Sequence, residues 1–168
     1  MLWVALSLIY SNKKESTNWS KHTIGLTVLV ILTIVSGGFV AGLKAGKVFN
    51  TYPMMGNYWI PPGIFSLQPV WINFFENIIT VQLVHRILTA VTFISIILYW
   101  LKVRKTKISK RVRKGTNALL HTASLQFILG VMTLLFYVPI TLAAAHQATA
   151  LILLTISLHL CHAHVRGQ

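Results

Sequence analysis

The sequence predicts an all-α membrane protein: a four-transmembrane-helix bundle with a short N-terminal partial helix in front of it. Three observations carry this. Of 168 residues, 55% are hydrophobic and 10% charged, whereas about a quarter are charged in a water-soluble domain. The apolar residues gather into four long runs, at about 23–43, 78–101, 118–140 and 142–161, each near the ~20 residues a helix needs to cross about 30 Å of hydrocarbon. The cations gather between runs: eight of the fifteen Lys and Arg lie from Lys102 to Lys114. Every backbone N–H and C=O in lipid needs a partner within the protein, so runs of this length are expected to be helices.

The elements follow in order. The first apolar run, 2–10, is too short to span. No basic residue precedes it and no small-residue cleavage pattern follows it, so it reads as the tail of a helix rather than a signal peptide. That implies a fragment, a split gene product or an unusual start. Residues 1–22 are then a remnant helix and a cytoplasmic linker, and 23–168 a membrane domain. Between the first two spans lies a segment, 44–77, whose charges are Lys44, Lys47 and Glu76; Trp59 and Trp71 within it suit anchors at the membrane interface. The second and third spans are joined by the basic loop 102–117, the third and fourth by a short turn at Pro139. Lys13, Lys14 and Lys21 precede the first span and Arg166 follows the last. Cation-rich ends belong on the cytoplasmic side, so 44–77 faces outward and both termini inward. The net charge of +13 is therefore an orientation signal, and no nucleic-acid partner is expected.

Packing surfaces are visible as well. Gly38 and Gly42 form a small-xxx-small pair, and Thr122, Gln126, Gly130, Thr133 and Tyr137 recur at helical spacing, a pattern that lets helices approach closely. The single cysteine, Cys161, makes no intrachain disulfide, and the 159–164 run of three histidines and that cysteine lacks a spacing that closes a tetrahedron of metal ligands.

The seven histidines sort by depth. His22, His121, His159, His162 and His164 sit near the basic ends of spans, where a histidine snorkels or caps the last carbonyls at little cost. His85 and His146 lie inside, about 10 Å and about 6 Å from the outer ends of their runs at 1.5 Å per residue. Ionisable side chains at such depth are costly and mark functional sites. Gln82, His85, Thr89 and Thr92 share one helix face, with Arg86 beside it, and Ala143, Ala144 and Ala145 thin the helix in front of His146. Two readings stay open at this point. Two imidazoles facing each other across a bundle hold haem iron at both axial positions, with Arg86 available to a propionate; or His85 bonds a neighbouring helix and His146 a backbone carbonyl.

Longer motifs point to a family. The stretch Gly37–Gly38–Phe39–Val40–Ala41–Gly42–Leu43–Lys44–Ala45–Gly46 continues through Phe49–Asn50–Thr51–Tyr52–Pro53–Met54–Met55–Gly56 to Pro61–Pro62. With Asn73–Phe74–Phe75–Glu76–Asn77, Val81–Gln82–Leu83–Val84–His85–Arg86 and Ala143–Ala144–Ala145–His146–Gln147–Ala148, it resembles the haem A synthase family from about residue 23 to the end. The resemblance implies the C-terminal half of an eight-span protein that oxidises the methyl group of haem O to the formyl group of haem A. It implies haem b as cofactor, with His85 and His146 as axial ligands of its iron. It also implies a bacterial plasma membrane or mitochondrial inner membrane, and haem O and haem A as substrate and product. Partners on this view are an N-terminal-half polypeptide or a second copy, and a haem O synthase. The family's reactive half carries Glu-x-x-His-Arg, whereas this chain reads Gln82-x-x-His85-Arg86. An amide takes no proton as a carboxylate does, so no catalytic residue is assigned here. A stand-alone four-helix b-type cytochrome and an inactive fragment are the alternatives.

Overall fold

A computed structural model describes residues 2–9 and 19–165. Lys13, Lys14 and Arg166, three of the cations behind the expected orientation, and Glu15 lie outside those residues. The described chain forms α1 (Leu2–Ile9), α2 (Ser20–Gly42), α3 (Asn73–Glu76), α4 (Ile78–Val103), α5 (Lys110–Leu135) and α6 (Ile140–Val165), with single 3-10 turns at Ala45–Lys47 and Val70–Ile72. No strand occurs among the described residues. Among them α2, α4, α5 and α6 are long and apolar enough to cross a membrane, and the chain is an all-helical integral membrane protein.

Local chemistry sets the helix ends. At the start of α5, Ser109 Oγ accepts the Val112 N–H at 3.2 Å, a side-chain cap that lets the helix begin at Lys110, inside the basic segment. The same helix stops at Leu135, short of residue 140. Tyr137 and Val138 turn to φ values of 62° and 60°, the left-handed region that side chains enter only at a cost. The Val138 N–H closes the turn on the Thr133 carbonyl at 2.8 Å, and Pro139, which has no N–H to satisfy, leads into α6.

The four long helices form a ring in which α2 touches α4, α4 touches α5, α5 touches α6 and α6 touches α2. Helices α4 and α6 thus face each other across one diagonal, α2 and α5 across the other. Outward-facing positions carry exposed apolar side chains, such as Val28, Ile31 and Val35 of α2 or Ile87, Val91 and Ile94 of α4, as lipid-facing surfaces do. The largest buried apolar cluster lies at the end of the ring that holds the 102–117 segment. It joins Leu26 and Val30 of α2, Ile96, Tyr99 and Val103 of α4, Val112, Leu119 and Ala123 of α5, and Leu153, Leu160 and Ala163 of α6.

Helix α1 packs on α6 at that same end, where Ser7 Oγ lies 3.2 Å from His162 Nε2. His164 Nε2 meets the Tyr99 hydroxyl, also at 3.2 Å. Both histidines are 1% exposed, so they are buried polar contacts between helices rather than snorkelling side chains as the sequence suggested. Short hydroxyl partners on α1 and α4 make that burial affordable.

The opposite end is covered by the 44–77 segment, tied down by Asn73 and Asn77. Asn77 Oδ1 accepts the N–H groups of Ile79 and Thr80, at 3.0 and 3.2 Å, capping α4. Its amide nitrogen, with two protons, lies within hydrogen-bond distance of Gly63 O, Ser66 Oγ and Asn73 Oδ1, at 2.9, 3.1 and 3.0 Å. Asn77→Ala removes the cap and the donor to Gly63 O and Ser66 Oγ, while Asn73 Oδ1 keeps the Leu67 N–H, so it lowers stability by about 2–3 kcal/mol. Denaturant titration in detergent, followed by circular dichroism, measures the loss; a change below about 0.5 kcal/mol would show the network to be idle.

Candidate functional site

Beyond the apolar core, on the 44–77 side, the ring changes character. His85 lies seven residues into α4 and His146 six residues into α6, about 10 Å and about 9 Å from the helix starts. Since α6 begins at Ile140, the two depths agree more closely than the apolar runs implied. The imidazoles come from the diagonal pair of helices.

Each ring rests on a glycine of a neighbouring helix. A Cβ on Gly37 of α2 would sit 3.1 Å from His85 Cε1, and a Cβ on Gly130 of α5 would sit 2.9 Å from His146 Cε1. Both glycines lie five residues from the ends of their helices, at Gly42 and Leu135. One level of the bundle therefore carries histidines on one diagonal and glycines on the other.

The hydrogen bonds orient the rings. Ser36 Oγ donates to the Thr33 carbonyl at 2.8 Å and stands 2.8 Å from His85 Nδ1. A hydroxyl has one proton. With that proton directed at the carbonyl, the oxygen accepts from Nδ1–H, the tautomer that leaves the lone pair on Nε2. Metal-binding histidines are oriented in this way by their other nitrogen. For His146 the side-chain amide of Gln126 donates to Nε2 at a long 3.4 Å. His146 Nδ1 and Gln126 Oε1 are buried without a hydrogen-bond partner, as are Gln82 Oε1 and Arg86 Nε. Four buried polar atoms lacking partners at one level are costly and call for an explanation.

Gln82 and Arg86 reach up to the covering segment. Gln82 Nε2 and Arg86 Nη2 both donate to the Phe49 carbonyl at 3.0 Å, and Arg86 Nη1 donates to Pro53 O and Met54 O at 3.3 and 3.1 Å. Asn50 Nδ2 bonds Gly46 O at 2.7 Å and Leu134 O at 2.9 Å, fixing the same stretch to the end of α5. Arg86 is therefore a strap for residues 49–54. Its Nη donors are committed to backbone carbonyls.

Several sequence expectations concern this level. Thr92 meets Thr33 of α2, Oγ to Oγ at 2.8 Å, and Thr89 bonds its own helix at His85 O and Arg86 O. Ala144 and Ala145 are exposed, so the thinned surface before His146 turns away from the interior; the small residue facing that ring is Gly130. Ser36 and Gly37 were not singled out by sequence reasoning. The available signal was their depth, since a glycine one helix away at the level of a buried histidine marks a close approach. His22 and His121 are exposed, and His159 Nε2 accepts from Arg111 Nε at 3.2 Å. No group of three metal-ligating side chains gathers among the described residues.

Fold and site together define a four-helix membrane protein with an intramembrane histidine pair strapped beneath a loop. Its family is shown by comparison. The chain belongs to the COX15-CtaA family of cytochrome oxidase assembly proteins, whose profile matches residues 1–158. It is 42% identical over 167 residues to "Heme A synthase" of Nitrosospira multiformis, covering 96% of this chain and 47% of that protein. It is 43% identical over 170 residues to "Heme A synthase COX15" of Arabidopsis thaliana, covering 96% and 37%. The human protein of the same name is 44% identical over 161 residues, covering 92% and 39%. The chain thus spans half or less of the length of these curated relatives. No solved structure matches it.

Proposed function

We propose that this chain is the C-terminal, cofactor-holding half of a haem A synthase, and that His85 and His146 are the axial ligands of a haem b. The observation that carries this is the single level at which two imidazoles occupy one diagonal of the ring and two glycines the other. The donor set supports it. Two neutral imidazoles are too few to hold a bare ion, yet they complete an iron whose other four positions come from a porphyrin. The tautomer set by Ser36 supports it further, and so do the partnerless atoms around the rings. When bound, haem b supplies one-electron redox chemistry.

This chain's residues do the rest. His85 and His146 fix the group at both faces, while Gly37 and Gly130 keep side chains out of its way. Gln82 and Arg86 hold the 49–54 stretch over the site and keep water from it, and Arg86 Nε is the donor left for a propionate. In the complete enzyme, which would oxidise the methyl group of haem O, this half would hold the haem b beside the reacting half. The partner that carries the reacting haem is an N-terminal-half polypeptide or a second copy of the chain, with a haem O synthase supplying substrate. The basic 102–117 segment and both termini lie on the cytoplasmic or matrix side of a bacterial plasma membrane or mitochondrial inner membrane.

One residue favours a second reading. Gln82 occupies the place of the carboxylate in the family's reactive motif, and an amide does not act as a base. On that reading the chain is an electron-transfer cytochrome that leaves haem O unchanged. Coexpression with a matching N-terminal half in a strain lacking haem A decides between the two. We expect haem A to appear with the pair and with neither half alone. Stable insertion of both halves, bound haem b and no haem A would establish the cytochrome.

A further inference from the structure

At the end of the ring remote from the histidines, a cavity of about 200 Å3 opens where α4 passes into α5. Trp100 lies fifteen residues beyond His85, about 22 Å along the helix. The cavity's floor is apolar, made by Val103, Ile108 and the indole of Trp100, and its rim is cationic and polar, made by Arg104, Arg113 and Asn117. The Arg104 guanidinium stands 4.5 Å from the Trp100 ring centroid. Trp100 Nε1 donates to Asn117 Oδ1 at 2.9 Å, which leaves the Asn117 NH2 group as a further donor at the rim. Arg113 Nη2 reaches the Thr106 carbonyl at 3.3 Å.

Among the described residues no acidic side chain lies in this neighbourhood. Eight cations lie between Lys102 and Lys114, and Glu76, the described acid, belongs to α3 at the opposite end. Two guanidiniums lining one small cavity repel each other unless an anion comes between them. Guanidinium is also the side chain best matched to phosphate, through paired N–H donors. The cavity lies where two spanning helices leave the hydrocarbon, the depth at which lipid phosphates sit and tryptophans anchor.

We propose that this cavity is a headgroup site for an anionic membrane phospholipid, its phosphate held by Arg104, Arg113 and the Asn117 amide over the Trp100 ring. The acyl chains then follow the exposed apolar surface of the helices. The proposal needs only that α4 and α5 span a membrane, and it stands apart from the haem reading. Phosphate is the chemistry recognised, and a free phosphate ion shares it, so the test separates the two sources.

The full chain, purified in mild detergent, is titrated by native mass spectrometry with phosphatidylglycerol, phosphatidylcholine and inorganic phosphate. One phosphatidylglycerol should be retained over phosphatidylcholine. Arg104→Gln with Arg113→Gln should weaken that binding about tenfold, as losing charge-assisted hydrogen bonds does. Lys105→Gln with Lys107→Gln, the same charge loss outside the cavity, should change it less than about twofold. Equal losses from both pairs would mean diffuse attraction and overturn the site. So would equal retention of the two lipids. Displacement of the lipid by millimolar phosphate would make the free ion the ligand and overturn the lipid assignment. Should the double arginine variant fail to fold, Asn117→Leu at an exposed position carries the test: binding falls several-fold, and unchanged binding refutes the proposal.

Discussion

If His85 and His146 hold haem b as proposed, replacing either by alanine is expected to abolish a six-coordinate low-spin spectrum of the purified, haem-loaded chain, while His121→Ala is expected to leave it intact. The two proposed ligands stand on opposed helices, α4 and α6, and neither has a histidine neighbour to replace it. Loss of a coordinating nitrogen exceeds the 10–100-fold cost typical of losing a group that merely orients a ligand, so occupancy falls below detection or the iron turns high-spin. His121 is a suitable control because it is exposed and lies in the stretch of α5 near the basic segment. Optical spectra of the reduced and oxidised forms read the outcome. A low-spin spectrum surviving in both variants would remove the histidine pair from the site.

The second large effect is expected from Gly37→Val and Gly130→Val. Added Cβ atoms would stand 3.1 Å from the His85 ring and 2.9 Å from the His146 ring, and the valine methyls extend further. The rings are pushed from their present positions, at about 1–3 kcal/mol of overpacking. Haem per protein, measured as the pyridine complex, should fall at least about tenfold for the pair of substitutions. Helix content by circular dichroism should hold, since the apolar core lies elsewhere. Full haem content in the double variant would show that the close approach has no bearing on binding. Loss of both haem and helix would instead indicate a general packing fault.

Much of this architecture could be read in the sequence because lipid imposes strong rules on it. Apolar runs of about twenty residues gave four spans, and clustered cations marked one end. Two features escaped for identifiable reasons. The third run continues through Phe136, Tyr137 and Val138 without a polar break, so composition does not reveal that the backbone reverses there at positive φ. His162 and His164 sit near the basic end, where a histidine ordinarily faces solvent, yet both are covered because Ser7 of α1 and Tyr99 of α4 meet them. Contacts of that kind depend on which helices are adjacent, and spacing within one helix does not encode adjacency.

The same limit explains the site. Depth alone selected His85 and His146, and a shared face grouped Gln82 with His85. That Ser36 orients one ring, that Gly130 rather than Ala144 and Ala145 abuts the other, and that Arg86 holds three loop carbonyls all follow from the order of helices around the ring. The motif resemblance led to the family that the comparisons show, with no solved fold to copy from.

The one-sided core has a mechanical consequence. Leu26, Ile96, Leu119 and Leu153 knot all four helices together near the basic segment, while the histidine end is joined by hydrogen bonds and a strapped loop. Such a bundle works as a tongs with its pivot at the knot: small tilts of α2, α4, α5 and α6 open the far tips by several times the displacement at the pivot.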